Sequence, residues 1–200
     1  MCAKEQRRNH TISRLSSNRG TIVYDIDIKG LGKNTKSVVE TAIELSKKAL
    51  EPYDRVWAVF DKDSFLDKNF NEAIQMAESH GISCAWSNEA FELWYLYHFQ
   101  NIVVAMNRAD YKKAISNAVN NSNKYKEKKK YGYQKSDKEN YRIMTTYGSQ
   151  SNAIRWAEAQ SKNFCDRSYA KHNPCTMVYK LVQQLIGEDA DLNEELKQKV

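Results

Sequence analysis

The chain has 200 residues, 41% of them hydrophobic and 28% charged, enough for one α/β domain with a core and short for two. Two prolines and seven glycines leave no room for a low-complexity linker, and no run approaches the roughly 18 apolar residues of a membrane span. With no apolar signal core at the start, the chain is expected to be cytoplasmic.

The net charge of +6 is unevenly placed. Residues 1–19 carry Lys4, Arg7, Arg8, Arg14 and Arg19 against Glu5 alone. Residues 124–142 carry seven lysines and Arg142 against Glu127, Asp137 and Glu139. The rest of the chain is mildly acidic, so its basicity forms two concentrated patches of the kind a polyanion-binding surface needs.

In chain order, residues 1–19 lack periodicity and predict a basic, flexible arm ahead of a single domain over 20–200. Residues 21–28 alternate apolar and polar, predicting a strand with one wet face near a sheet edge. Residues 30–34 form a loop that resembles a phosphate loop only superficially, because the Gly-Lys-Ser/Thr ending is absent. Thr35 can cap a helix striped by Val38, Ala42, Leu45 and Ala49. The run RVWAVF at 55–60 suits a central strand buried on both faces and stops abruptly at Asp61-Lys62-Asp63. An amphipathic helix closed by Gly81 and a second buried strand at 82–86 complete a strand–helix alternation that predicts a parallel sheet. Ser87 and Asn88 read as N-caps of a nearly all-apolar helix at 89–99. Beyond residue 100 the pattern is mainly helical: a polar stretch at 101–118, the basic segment, a helix at 151–164, and a last helix opened by Asn173-Pro174 and closed by Gly187.

Asp61 and Asp63 are the strongest chemical feature. In open parallel sheets ligands gather at the carboxyl ends of strands. Two carboxylates there suit Mg²⁺ or Mn²⁺, which take oxygen ligands and keep several waters. The alternative is that Asp61 ends the strand and Asp63 caps a turn. Glu89 and Glu92, at i and i+3 beyond the neighbouring strand, can join that site. Glu92 lies in so apolar a stretch that it needs a cation, either a metal or a partner such as Arg108 or a lysine. His98 lies off that face and is expected to be a hydrogen-bonded core histidine.

In the basic segment Lys124, Lys128, Lys129, Lys130 and Lys135 interleave with Tyr125, Tyr131 and Tyr133. Lysines neutralise phosphates and tyrosines stack on unpaired bases, so the segment suits single-stranded or looped nucleic acid, a solvated loop being the other reading. Cys165, His172 and Cys175 match no standard zinc spacing, and the four cysteines are most simply free thiols.

The runs VWAVFDKDSF, FNEAI, HGISCAWSNEAFELWYLYHF and NPCTMVYKLVQQL together resemble the RloB family from about Thr21 onward. That resemblance implies a Toprim-like (Rossmann-like), mostly parallel sheet flanked by helices over 20–100, with a mainly helical half over 101–200. It implies a metal-dependent nuclease in anti-phage defence, acting on RNA such as tRNA or on DNA, often beside an ATPase partner. Asp61 and Asp63 would correspond to the Toprim D-x-D metal motif, with Glu92, and after it Glu89, at the later acidic position. Family members also open with a strand ending in Glu-Gly, for which residues 1–19 offer only Glu5. A missing strand would leave a sheet edge able to pair with a second copy, and a missing glutamate favours a non-catalytic nucleic-acid- or partner-binding subunit.

Overall fold

The computed structural model describes residues 9–18, 21–30, 35–50 and 52–187, with side chains from residue 35 onward. Five strands form one mixed sheet: β1 (Asn9–Asn18), β2 (Thr21–Gly30), β3 (Arg55–Asp61), β4 (Ser83–Asn88) and β5 (Cys175–Thr176), in the order β2-β1-β3-β4-β5. Seven α-helices accompany them among the described residues: α1 (Thr35–Lys48), α2 (Asp67–Ser79), α3 (Glu92–Tyr97), α4 (Tyr111–Asn120), α5 (Asn140–Tyr147), α6 (Gln150–Ser161) and α7 (Val178–Leu185). None is long and apolar enough to cross a membrane.

The buried run at 55–60 becomes β3, and its alternate residues serve two cores. Val56, Ala58 and Phe60 face a layer built from α1 and α2, where Phe70 meets Phe60 and Trp86 edge-on at 5.7 and 5.6 Å. Trp57, in contrast, joins Leu93, Trp94, Tyr97, Ile115 and Met144 on the other side, where its indole N–H donates to Gln184. Burial on both faces explains why β3 reads as an unbroken apolar run. Trp94 also lies in this core, and Trp156 packs against its edge.

Several expectations need correction. The sheet is mixed, and only β3 and β4 pair in parallel. Residues 9–18, expected to be part of a flexible arm, form β1, which pairs with β2 along ten residues and with β3 from Thr11 to Ser13, antiparallel to both. That ladder is made by backbone N–H and C=O groups, so it needs no apolar pattern. Because β1 lies between them, β2 and β3 point the same way without touching, and β2 stands at the edge of the sheet, as its alternation implied. The remainder of the expected arm (1–8 and 19) and most of the glycine loop (31–34) lie outside the described residues.

Ser87 and Asn88 are the last residues of β4 rather than helix caps. Their backbones pair with Thr176 and Cys175, the Ser87 and Thr176 hydroxyls meet at 2.6 Å, and the Asn88 amide donates to the Ala170 carbonyl at 2.8 Å. With its cap residues held in the sheet, α3 begins only at Glu92. Asn173-Pro174 likewise precedes β5 instead of opening a helix, and α7 starts at Val178. The polar stretch at 101–118 is helical only from a short turn at Arg108–Asp110 into α4. Gly81 and Gly187 follow α2 and α7 with positive φ, +68° and +77°, where glycine carries no steric penalty.

Candidate acidic site at the carboxyl end of β3

Asp61 is the last residue of β3 and is only 1% exposed. Its backbone is in register with Ser87 of parallel β4. The turn that follows stays tied to the loop after β4: the Lys62 N–H donates to the Ser87 carbonyl at 2.9 Å and the Asp63 N–H to the Glu89 carbonyl at 3.1 Å. Asp63 adopts φ +50°, a conformation aspartate tolerates because its short side chain bonds locally, here to the Ser64 N–H at 2.8 Å. This turn leaves the Asp63 carboxylate within reach of the same side chain as Asp61.

Both carboxylates meet one guanidinium. Arg108 Nη1 lies 2.8 Å from Asp63 Oδ1, and its Nη2 lies 3.6 Å from Asp61 Oδ2. A planar fork suits two carboxylates better than a lysine point charge does. Lys62, between them in sequence, turns instead to Asp67 at 3.0 Å.

Glu92 opens α3 and is 6% exposed. Its Oε1 accepts from the Tyr133 hydroxyl at 3.1 Å and meets Lys135 Nζ at 3.3 Å, while its Oε2 is buried without a hydrogen bond. Burial first, and the nearby Glu92 charge second, hold the Tyr133 phenol well above its ordinary pKa, so it stays a donor. The Tyr111 phenol, whose buried hydroxyl makes no hydrogen bond, is held above its ordinary pKa by burial first and then by the charges of Glu89 and Glu92. Glu89 itself is half-buried.

Asp61 thus ends β3, Asp63 and Glu89 lie on the loops that follow β3 and β4, and Glu92 opens α3, so the four stand beyond the carboxyl ends of the parallel pair, where the strand-end argument expects them. They do not form a ready metal centre: among the described residues no three His, Cys, Asp or Glu side chains come close enough to hold one ion. Asp61 and Asp63 fit a divalent cation by themselves, since their hard oxygen donors already share one cation and Mg²⁺ is commonly held by one or two carboxylates plus waters. Glu92 meets its need for a counter-charge through Lys135 instead. The expectation of Arg108 or a lysine beside Glu92 divides accordingly, Lys135 going to Glu92 and Arg108 to the aspartates.

The basic segment is pinned down rather than trailing. Tyr131 donates its N–H to Asn120 and its hydroxyl to Asn140, both at 2.9 Å. Tyr125 donates to the Lys129 carbonyl at 2.7 Å and packs edge-on against Tyr147. Tyr133, expected to offer its ring to a base, is 3% exposed within the core. Lys124 donates to the Gly148 carbonyl, whereas Lys128, Lys129 and Lys130 stand exposed. Away from this region, Cys165 is exposed, Cys175 is buried, and His172 stacks on Phe164 and meets Asp166 at 3.0 Å, so these three do not gather as a zinc site.

Sequence reasoning missed the role of Arg108, which reaches the aspartates from 45 residues away in sequence and leaves no local signal. Comparison with known proteins gives no match among curated proteins or solved structures. The model of the RloB-like protein family matches residues 3–185, and the chain belongs to that family.

Proposed function

We propose that this chain is a metal-dependent nuclease that hydrolyses phosphodiester bonds in RNA, such as tRNA, or in DNA. The carrying observation is the buried Asp61 carboxylate at the strand end, sharing one cationic partner with Asp63. Asp61 and Asp63 would hold Mg²⁺ or Mn²⁺, which supplies an activated water and charge stabilisation at the phosphate. Arg108 stands as the resident counter-charge of the pair, and a phosphate entering the site offers its guanidinium a second bidentate partner. Glu92 acts as a positioning residue, holding the Lys135 ammonium and the Tyr133 hydroxyl at the edge of the same site. The exposed Lys128, Lys129 and Lys130 attract the polyanion without reading its sequence. A role in anti-phage defence beside an ATPase partner is what the RloB resemblance implies, and in this reading the chain acts in the cytoplasm, with a second copy able to pair at the sheet edge.

A second reading rests on Arg108 itself. A guanidinium bonded to both aspartates can be their permanent partner, which would make the chain a nucleic-acid- or partner-binding subunit with a decayed nuclease site.

The test is direct. Mn²⁺ should raise the melting temperature of the wild type and leave Asp61→Asn unmoved. Labelled tRNA and DNA should be cut by the wild type with Mg²⁺ and spared in EDTA. Absence of metal-dependent cleavage, with the ATPase companion supplied, excludes the enzyme and leaves the binding subunit.

A further inference from the structure

Arg108 is the solvent-side member of the acidic cluster: its side chain is 32% exposed, against 16% for Asp63 and 1% for Asp61. It opens the short turn Arg108–Asp110 directly after residues 98–107, which form neither strand nor helix. Val103, Val104 and Asn107 in that stretch are exposed, so the backbone that carries Arg108 runs along the surface. Its grip on the aspartates is uneven. Nη1 lies 2.8 Å from Asp63 Oδ1, whereas the 3.6 Å from Nη2 to Asp61 Oδ2 is beyond hydrogen-bond distance, so charge alone acts there.

A guanidinium stays charged throughout the physiological pH range, so it cannot make room for a second cation by losing a proton. A divalent ion brought to the same two carboxylates meets Arg108 at close range, and a partly buried site screens that repulsion poorly. Two arrangements relieve it: Arg108 leaves the aspartates, or an anion enters between the two cations. A phosphodiester allows both. Its oxygens are hard donors of the kind the ion takes, and a pair of them matches the guanidinium fork. The charge on Arg108 therefore disfavours the ion while phosphate is absent and favours phosphate once the ion is present. Other charges near the site alter the affinities, but they act alike with or without Arg108 and do not change this sign.

We infer that Arg108 couples metal binding to substrate binding: it holds the aspartates of the resting chain and transfers to the substrate's phosphate when the ion and a phosphodiester arrive together. The coupling is reciprocal, each ligand tightening the other by the same factor. The chain then takes up little metal until a nucleic-acid strand reaches it. This inference rests on the proposed metal site at Asp61 and Asp63.

The EPR signal of free Mn²⁺ measures the ion's affinity for the full chain, alone and with a phosphorothioate tetraribonucleotide that resists hydrolysis. A titration without protein subtracts the oligonucleotide's own uptake of Mn²⁺. The oligonucleotide is expected to tighten Mn²⁺ binding to the wild type by about fivefold or more, the lower end of ordinary coupling between sites. Without oligonucleotide, Arg108→Gln should bind Mn²⁺ more tightly than the wild type by a similar factor, and it should gain less when the oligonucleotide is added. Direct contact between ion and phosphate contributes in both chains, so the difference between the two gains belongs to Arg108. Equal gains, or equal Mn²⁺ affinity without oligonucleotide, overturn the inference. Arg108→Lys, which keeps the charge without the fork, carries the test if the glutamine variant melts below the assay temperature. Affinities between those of wild type and a free aspartate pair then support the inference, and affinities equal to the wild type's overturn it. Failure of the metal reading looks different: Mn²⁺ binds neither wild type nor variant, or binds undiminished to Asp61→Asn, and the inference falls with it.

Discussion

At the first residue of α3, Glu92 is buried and meets both a phenol and an ammonium, whereas just past its last residue His98 is more deeply buried and uses one ring nitrogen only. The acidic end is the one a sequence motif marks. There Asp61, Asp63 and Glu92 each have a cationic partner brought from residue 108 or 135. The His98 end carries no motif, and its second ring nitrogen is buried without a hydrogen bond, as are Glu92 Oε2 and the Tyr111 hydroxyl at the acidic end. Charge placed by a motif is neutralised when the chain folds, so the motif alone does not show whether a site awaits a ligand.

The largest expected effect probes the His98 end. His98 titrates near 4 when folded and near 6.5 when unfolded, so between these values the unfolded chain binds the extra proton. Its contribution to stability is complete above about pH 6.5, falls as the pH drops and is gone below about pH 4. Over that window roughly 3 kcal/mol is lost, at about 1.4 kcal/mol per pH unit for one proton. Urea unfolding at a series of pH values should show this slope, and His98→Asn should flatten it. A slope unchanged in that variant would mean that His98 is not held neutral, removing the contrast between the two ends.

Next in size is Arg108→Ala. It leaves Asp61 buried without its guanidinium, and the half-exposed arginine limits the cost to about 2 kcal/mol. For a chain of this length that is roughly 6 °C in melting temperature. If the aspartates hold metal, Mn²⁺ should restore more stability to the variant than it adds to the wild type, because the competing cation is gone. If Mn²⁺ restores nothing, Arg108 is the permanent partner and the binding-subunit reading stands.

What the sequence disclosed follows the same division. β3 was legible because burial on both faces forces an apolar run, and Asp61 because a carboxylate marks where that run ends. β1 was not legible, since its ladder with β2 and β3 is made by backbone groups and its own residues are largely polar. Ser87 and Asn88 carry good capping side chains, but pairing with Thr176 and Cys175, almost 90 residues on, held them in the sheet. α5 went unread because it follows a run of lysines and is only eight residues long. His98 was expected to be a hydrogen-bonded core histidine, and its bond to Trp94 is present. A cleft beside it comes from α4 and α6 converging, which no local pattern encodes.

The smallest effect sharpens the acidic end. Tyr133→Phe removes the hydroxyl from Glu92 Oε1 and keeps the ring in the core. A hydrogen bond to a charged acceptor contributes about 1.5–3 kcal/mol, and Lys135 at 3.3 Å still compensates Glu92, so a loss near the bottom of that range, about 1.5 kcal/mol, is expected by urea unfolding. The Mn²⁺ response separates two roles for the glutamate. As a positioning residue held by Lys135, Glu92 leaves the metal-induced rise in melting temperature unchanged in Tyr133→Phe. As a metal ligand restrained by the phenol, it would be released by the substitution and the rise would grow. The positioning role predicts the first outcome, because Glu92 already has its cation and the aspartate pair has oxygen donors enough for an ion that keeps its waters.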